Sequence, residues 1–174
     1  MIRIAVTGPE STGKSTLTSQ LAEYFNTIWV PEYAREYLNN LKRAYNEHDL
    51  LEIAKGQVKL ENKYISSSKK LIFYDTELLV IKIWSEHKYN RVHPWILSRC
   101  REIEYDLYLL TTTDISWEED PQRENPERGA YFFSIFKQEL ENKNADYGII
   151  SGKGEQRLQK AIELIENKFH DALN

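Results

Sequence analysis

Residues Gly8-Pro9-Glu10-Ser11-Thr12-Gly13-Lys14-Ser15 fit the pattern G-x-x-x-x-G-K-[ST] in full. Their flanks leave them one structural setting. Ile2 to Thr7 is a short apolar run stopped by Gly8-Pro9, as a buried strand is. From Lys14 to Phe25, the residues Leu17, Leu21, Ala22 and Phe25 recur on one helical face. A strand, a glycine-bounded loop and a helix in this order form a phosphate-binding loop. Gly8 and Gly13 give the backbone conformations barred to other residues, so the amides of Glu10, Ser11, Thr12 and Gly13 can converge on phosphate oxygens. The helix that follows adds the positive end of its dipole. The pattern assigns Lys14 to the β- and γ-phosphates, the Ser15 hydroxyl to Mg²⁺ and Thr16 to the α-phosphate. ATP and Mg²⁺ are therefore the expected cofactors.

Downstream, the chain alternates short apolar runs with helical periodicity. Ile28-Trp29-Val30, Leu71 to Tyr74, Tyr105 to Leu110 and Tyr147 to Ile150 read as four more strands. Helical segments are expected at Glu32–Leu41, about Asp49–Ser66, Glu77–Glu86, after His93-Pro94, at Ala130–Glu141 and from Lys153-Gly154 onward, the last with Leu158, Ala161, Ile162 and Ile165 as its stripe. This alternation predicts an α/β fold of P-loop NTPase type: a three-layer sandwich whose five-stranded parallel sheet carries helices on both faces. At 174 residues the chain suits a single domain, 1–174. The polar stretch of about 114–129 reads as a lid loop.

Several function classes are disfavoured. A GTPase needs D-x-x-G after the third strand, whereas Asp75-Thr76-Glu77-Leu78 lacks the glycine, and no N-K-x-D guanine reader is present. Net charge is −4 with no long basic run, which argues against a nucleic-acid partner. The single cysteine, Cys100, excludes an internal disulfide and a cysteine-built zinc site. A cleavable leader would take the phosphate loop with it, and no apolar stretch approaches membrane-spanning length. A cytoplasmic protein without a membrane partner, acting on a small molecule, is the expectation.

In open α/β sheets ligands lie beyond the carboxyl ends of the strands. Asp75 closes the third strand, placed to hold Mg²⁺ directly or through water. Glu32 follows the second strand and would face the acceptor side of the γ-phosphate, where a carboxylate can align a hydroxyl and take its proton. Glu32 is the first candidate for general base and Asp75 the second. Arg35, one turn after Glu32, either meets substrate or orients Glu32. Arg123 and Arg128, both in the lid loop, are candidates for stabilising charge on the transferred group. His48, His87, His93 and His170 show no metal-ligand spacing, and none is assigned to a site.

Glu10-Ser11-Thr12-Gly13-Lys14-Ser15-Thr16, Glu32-Tyr33-Ala34-Arg35-Glu36-Tyr37, Ile53-Ala54-Lys55-Gly56-Gln57 and Asp75-Thr76-Glu77 occur in this order, followed by His93-Pro94-Trp95 and Trp117-Glu118-Glu119-Asp120-Pro121-Gln122-Arg123. The set resembles the ribosylnicotinamide kinase domain of NadR-type proteins over nearly the whole chain. That resemblance implies ATP-dependent phosphorylation of the ribose 5′-hydroxyl of nicotinamide riboside, without the adenylyltransferase domain that NadR proteins carry ahead of the kinase. It implies substrate contacts from Glu32, Tyr33, Arg35, Gln57 and Asp75, a lid arginine at Arg123, and Arg157 beside the adenine. Pro31 stands where the family pattern has a tryptophan able to stack on the base. Tyr33, Trp84 and Tyr89 are the candidates to take that place, although aromatics at helical spacing more often pack in the core.

Overall fold

A computed structural model of the chain describes residues 1–66, 70–125 and 127–173. Five strands, β1 (Ile2–Thr7), β2 (Ile28–Val30), β3 (Leu71–Asp75), β4 (Leu107–Thr111) and β5 (Tyr147–Ile150), form one sheet in the order β2-β3-β1-β4-β5. Every neighbouring pair is parallel. Among the described residues seven helices fill the connections: α1 (Lys14–Tyr24), α2 (Tyr33–Asn40), α3 (Glu47–Ile65), α4 (Leu78–Tyr89), α5 (Pro94–Glu102), α6 (Gly129–Asn142) and α7 (Gly154–Leu173). This is the P-loop NTPase sandwich that the alternation of elements predicts.

The period-two geometry of the strands divides the core in two. Ile4, Val6, Phe73, Leu107 and Leu109 face α1 and α7, where Leu17, Leu21, Ala161, Ile162 and Ile165 meet them. Their chain neighbours Ala5, Ile72, Tyr74, Tyr108 and Leu110 point the other way, onto Leu79 and Ile83 of α4 and Phe132, Phe136 and Leu140 of α6. A third cluster joins α2, α3, α4 and α5 through Ala34, Leu50, Ile53, Leu78, Ile81 and Ile96. None of the helices described is long and apolar enough to cross a membrane.

Element ends follow local chemistry. Helix α3 starts two residues before its apolar pattern because Asn46 caps it: its side chain accepts the amides of His48 and Asp49, and Asp49 answers through the Asn46 amide at 2.7 Å. Glu77 is the cap of α4 rather than its first residue, and Asn90, left-handed at φ 52°, ends that helix three residues later than the apolar pattern does. Strand β4 begins at Leu107, not Tyr105, since the Asp106 side chain accepts the Arg3 amide at 2.7 Å ahead of the ladder.

Candidate active site

Residues just beyond the carboxyl ends of β1 and β2 line one cavity of about 510 Å³. Its floor is the phosphate loop. Gly8 has φ 133° and lies so close to β4 that a Cβ would sit 2.6 Å from Thr111 Oγ1. No other residue fits there. Gly13, at φ 71°, turns the loop into α1. The Thr12 hydroxyl holds the loop's curvature, donating to the Pro9 carbonyl at 2.8 Å and lying 2.7 Å from Thr111 Oγ1.

Charge concentrates on this floor. Lys14 Nζ donates to the Pro9 carbonyl at 2.6 Å, and loss of hydration draws its pKa down while Glu32, Asp75 and Glu10 push it back up. Glu32 lines the same cavity; burial is the main cause of its raised pKa, with Lys14 opposing. Asp75, at 3% exposure, also titrates above the ordinary carboxylate range because of burial, against a hydrogen bond from Ser15. Its Oδ1 is buried with no hydrogen-bond partner. A buried, unmet carboxylate oxygen beside a serine hydroxyl at the phosphate loop is a donor set suited to a hard divalent cation. Among the described residues no group of three or more His, Cys, Asp or Glu is arranged to hold a metal, so a cation here would take its other ligands from phosphate and water.

The loop between β4 and α6 passes over the floor. Glu10 Oε2 accepts the amides of Glu124 and Asn125 at 3.1 and 3.2 Å, and Ser11 Oγ accepts the Glu118 amide at 2.9 Å. Arg123 reaches Ser11 Oγ at 3.3 Å and lines the cavity. Arg35 stands at the rim and pairs with Asp120 of this loop at 2.9 Å, which raises its own pKa further.

Five expected contacts are placed otherwise; one is Asp75, described above, which does not border the cavity. The Tyr33 ring packs against Gly56 instead of lining the cavity; a Cβ on Gly56 would be 2.0 Å from Tyr33 Cε1. Gln57 is buried behind α2, where its Oε1 accepts the Tyr33 amide at 2.9 Å and its Nε2 donates to Glu61 at 3.2 Å. It supports the backbone beyond Glu32 and does not border the cavity. Arg128 turns outward, 2.7 Å from His87 Nε2 and over the Tyr131 ring at 4.4 Å. A guanidinium can only donate, so His87 Nε2 accepts and its proton sits on Nδ1. Arg157 borders the cavity, but its guanidinium is turned into the fold. It donates to the carbonyls of Thr12, Thr112 and Gly152 and pairs with Asp114, locking the phosphate loop to the root of the β4–α6 loop. All five placements depend on side-chain direction, which spacing in the chain does not carry.

Part of the cavity lining is aromatic, formed by Trp84 and His87 of α4 and Phe132 and Phe136 of α6. Of the three residues considered for stacking on a base, Trp84 lines the cavity, while Tyr33 and Tyr89 do not. His87, assigned to no site from its spacing, is in the same wall. The signal was available: Val80, Ile83, Trp84 and His87 are three, four and seven residues apart, one face of α4.

A family model described as an AAA domain (AAA_28) matches residues 3–157. The chain belongs to this family. It is 26% identical over 171 residues to the trifunctional NAD biosynthesis/regulator protein NadR of Escherichia coli (strain K12), covering 93% of this chain and 41% of that protein. Among solved structures, a NadR protein in complex with NR superposes with a TM-score of 0.82 at 22% identity, over 95% of this chain and 50% of that one. A thymidylate kinase from Ehrlichia chaffeensis matches over 94% of this chain and 98% of its own, with a TM-score of 0.64 at 14% identity. The AAA-domain chain thus has the fold of P-loop kinases, and it spans about half or less of the NadR chains it matches.

Proposed function

We propose that the chain is an ATP-dependent kinase that transfers the γ-phosphoryl group to the 5′-hydroxyl of nicotinamide riboside, giving nicotinamide mononucleotide. One observation carries the reading: a single cavity is lined by the phosphate-loop Lys14, by Glu32 and by the aromatic side chains of Trp84, His87, Phe132 and Phe136. A phosphoryl donor, a hydroxyl and a planar base fit those three kinds of group. The NadR complexes with NR, and with NAD and AMP-PNP, support the same reading by analogy.

In this mechanism Glu32 accepts the proton of the acceptor hydroxyl. That oxygen bonds to the γ-phosphorus as the bond to the β,γ-bridging oxygen breaks, releasing ADP. Lys14 and Arg123 offset the negative charge that spreads over the γ-oxygens. Ser15 and Asp75 would hold Mg²⁺, which supplies further charge neutralisation when bound. Glu32 is preferred over Asp75 as base because Asp75 is engaged by Ser15 and does not border the cavity.

The test is ADP release from ATP·Mg²⁺ with nicotinamide riboside against a panel of nucleosides and vitamins, with the product weighed by mass spectrometry. Stimulation by nicotinamide riboside and a product heavier by one phosphoryl group is the expected result. Stimulation by a different compound would replace the acceptor and keep the mechanism. ATP binding without stimulation by any acceptor would overturn the kinase reading in favour of a regulatory nucleotide-binding protein.

A further inference from the structure

Tyr45 is half-buried on the connection between α2 and α3, outside the cavity, yet its hydroxyl gathers three residues that line it. Trp84 Nε1 donates to this oxygen at 2.8 Å, Lys88 Nζ donates to it as well, and the hydroxyl donates to Glu124 Oε1 at 2.9 Å. The directions are not negotiable. An indole N–H and an ammonium only donate, a carboxylate only accepts, and a phenol has one proton and two lone pairs. The Tyr45 hydroxyl is thereby fully used. Its ring also meets the Trp84 ring edge-on at 4.9 Å.

Glu124 is the other half of the arrangement. Its carboxylate takes Lys88 Nζ at 2.9 Å, and its amide donates to Glu10 of the phosphate loop at 3.1 Å. Arg123, the residue before it, reaches Ser11 over the same loop. A single residue of the β4–α6 loop is thus joined to the aromatic wall on one side and to the nucleotide floor on the other.

We propose that Tyr45 is a positioning residue for the phosphoryl acceptor: it fixes the Trp84 indole in the cavity wall and, through Glu124, ties that wall to the loop that holds Arg123 over the phosphate loop. What the wall receives rests on the kinase reading above; the tie itself rests on the four side chains. Burial and the Glu124 carboxylate keep the Tyr45 phenol protonated by raising its pKa well beyond the ordinary tyrosine range, so the donor to Glu124 persists throughout the neutral region.

The experiment compares wild type, Tyr45→Phe, Glu124→Gln and the double variant in two measurements. The first is steady-state kinetics with nicotinamide riboside. Tyr45→Phe keeps the ring and its packing, and the acceptor KM is expected to rise about tenfold while the ATP KM stays within about twofold. Glu124→Gln should act in the same direction, with the double variant no worse than the more impaired single one, as residues on one pathway behave. Fully additive effects, or an unchanged acceptor KM in Tyr45→Phe, would overturn the proposal. The second measurement needs no acceptor: the rate of tryptic cleavage after Arg123, read by mass. It should rise about fivefold or more in both single variants as the loop loses its tie. Equal cleavage in all four proteins would overturn the tie. If no acceptor stimulates even the wild type, the kinase reading fails separately, and the cleavage rates decide the tie alone.

Discussion

Gln57 Oε1 accepts the backbone amide of Tyr33 at 2.9 Å, one residue beyond Glu32. The amide is the first of α2 and has no partner within its own helix, so a side chain of α3 fixes where the second strand hands over to the helix. Gln57 is itself oriented by Glu61, which in turn accepts the Tyr105 hydroxyl at 3.0 Å. The carboxylate proposed as base is therefore aimed by a buried polar relay.

Glu32→Gln should lower kcat by about a hundredfold or more while leaving the ATP KM nearly unchanged, since the amide keeps the shape and loses the proton acceptor. Gln57→Leu should lower kcat about tenfold by releasing the Tyr33 amide. Steady-state kinetics check both. If Asp75→Asn gives the kcat-only loss and Glu32→Gln does not, the two acids exchange roles.

Gly56→Ala should destabilise the fold by about 1–3 kcal/mol, because the new methyl lies 2.0 Å from the Tyr33 ring and one of them must move. Chemical denaturation measures the loss. Pairing it with Tyr33→Leu should recover most of it, since helix propensity alone would favour alanine at this interior position of α3.

Arg157→Leu should cost on the order of 2 kcal/mol of stability and raise the ATP KM, because the Thr12 carbonyl and Asp114 lose their donor. Arg157 is only 3% exposed, so solvent cannot substitute. An ATP KM unchanged in a folded variant would remove the role of Arg157 in shaping the phosphate loop.

Glu77 predicts a pH dependence. It is 3% exposed, and burial pushes its carboxyl from 4.5 up to about 7, although it accepts the Leu79 amide at 2.6 Å and the Thr7 hydroxyl at 3.1 Å. A pKa raised on folding favours the folded state fully below pH 4.5, and that stability is lost as pH rises through about 7. At roughly 1.4 kcal/mol per pH unit the loss is about 3 kcal/mol. Glu77→Gln should remove this slope. The stability difference between wild type and variant, from urea titrations at several pH values, should change across this window and stay flat above it.

The sequence by itself determined the sheet and the phosphate loop, and placed Glu32 after the second strand and Asp75 at the end of the third. Those features are local: a glycine at a positive φ, a run of apolar residues between breakers, and a carboxylate at the end of a strand each write themselves into consecutive residues. Where side chains of distant segments meet was decided only by the tertiary structure. Gln57 and Tyr33 belong with Glu32 in the sequence pattern, yet one supports its backbone and the other fills the groove above Gly56. Arg128 and Arg157 carry the right charge for phosphate, and both are claimed by partners far along the chain, His87 and Thr12. Tyr45 has no motif at all; its meaning comes from the 39 residues to Trp84 and the 79 to Glu124 that folding removes. Spacing along a chain records which face of an element a residue occupies, while the direction and partners of its side chain are set by packing that only the closed sandwich provides.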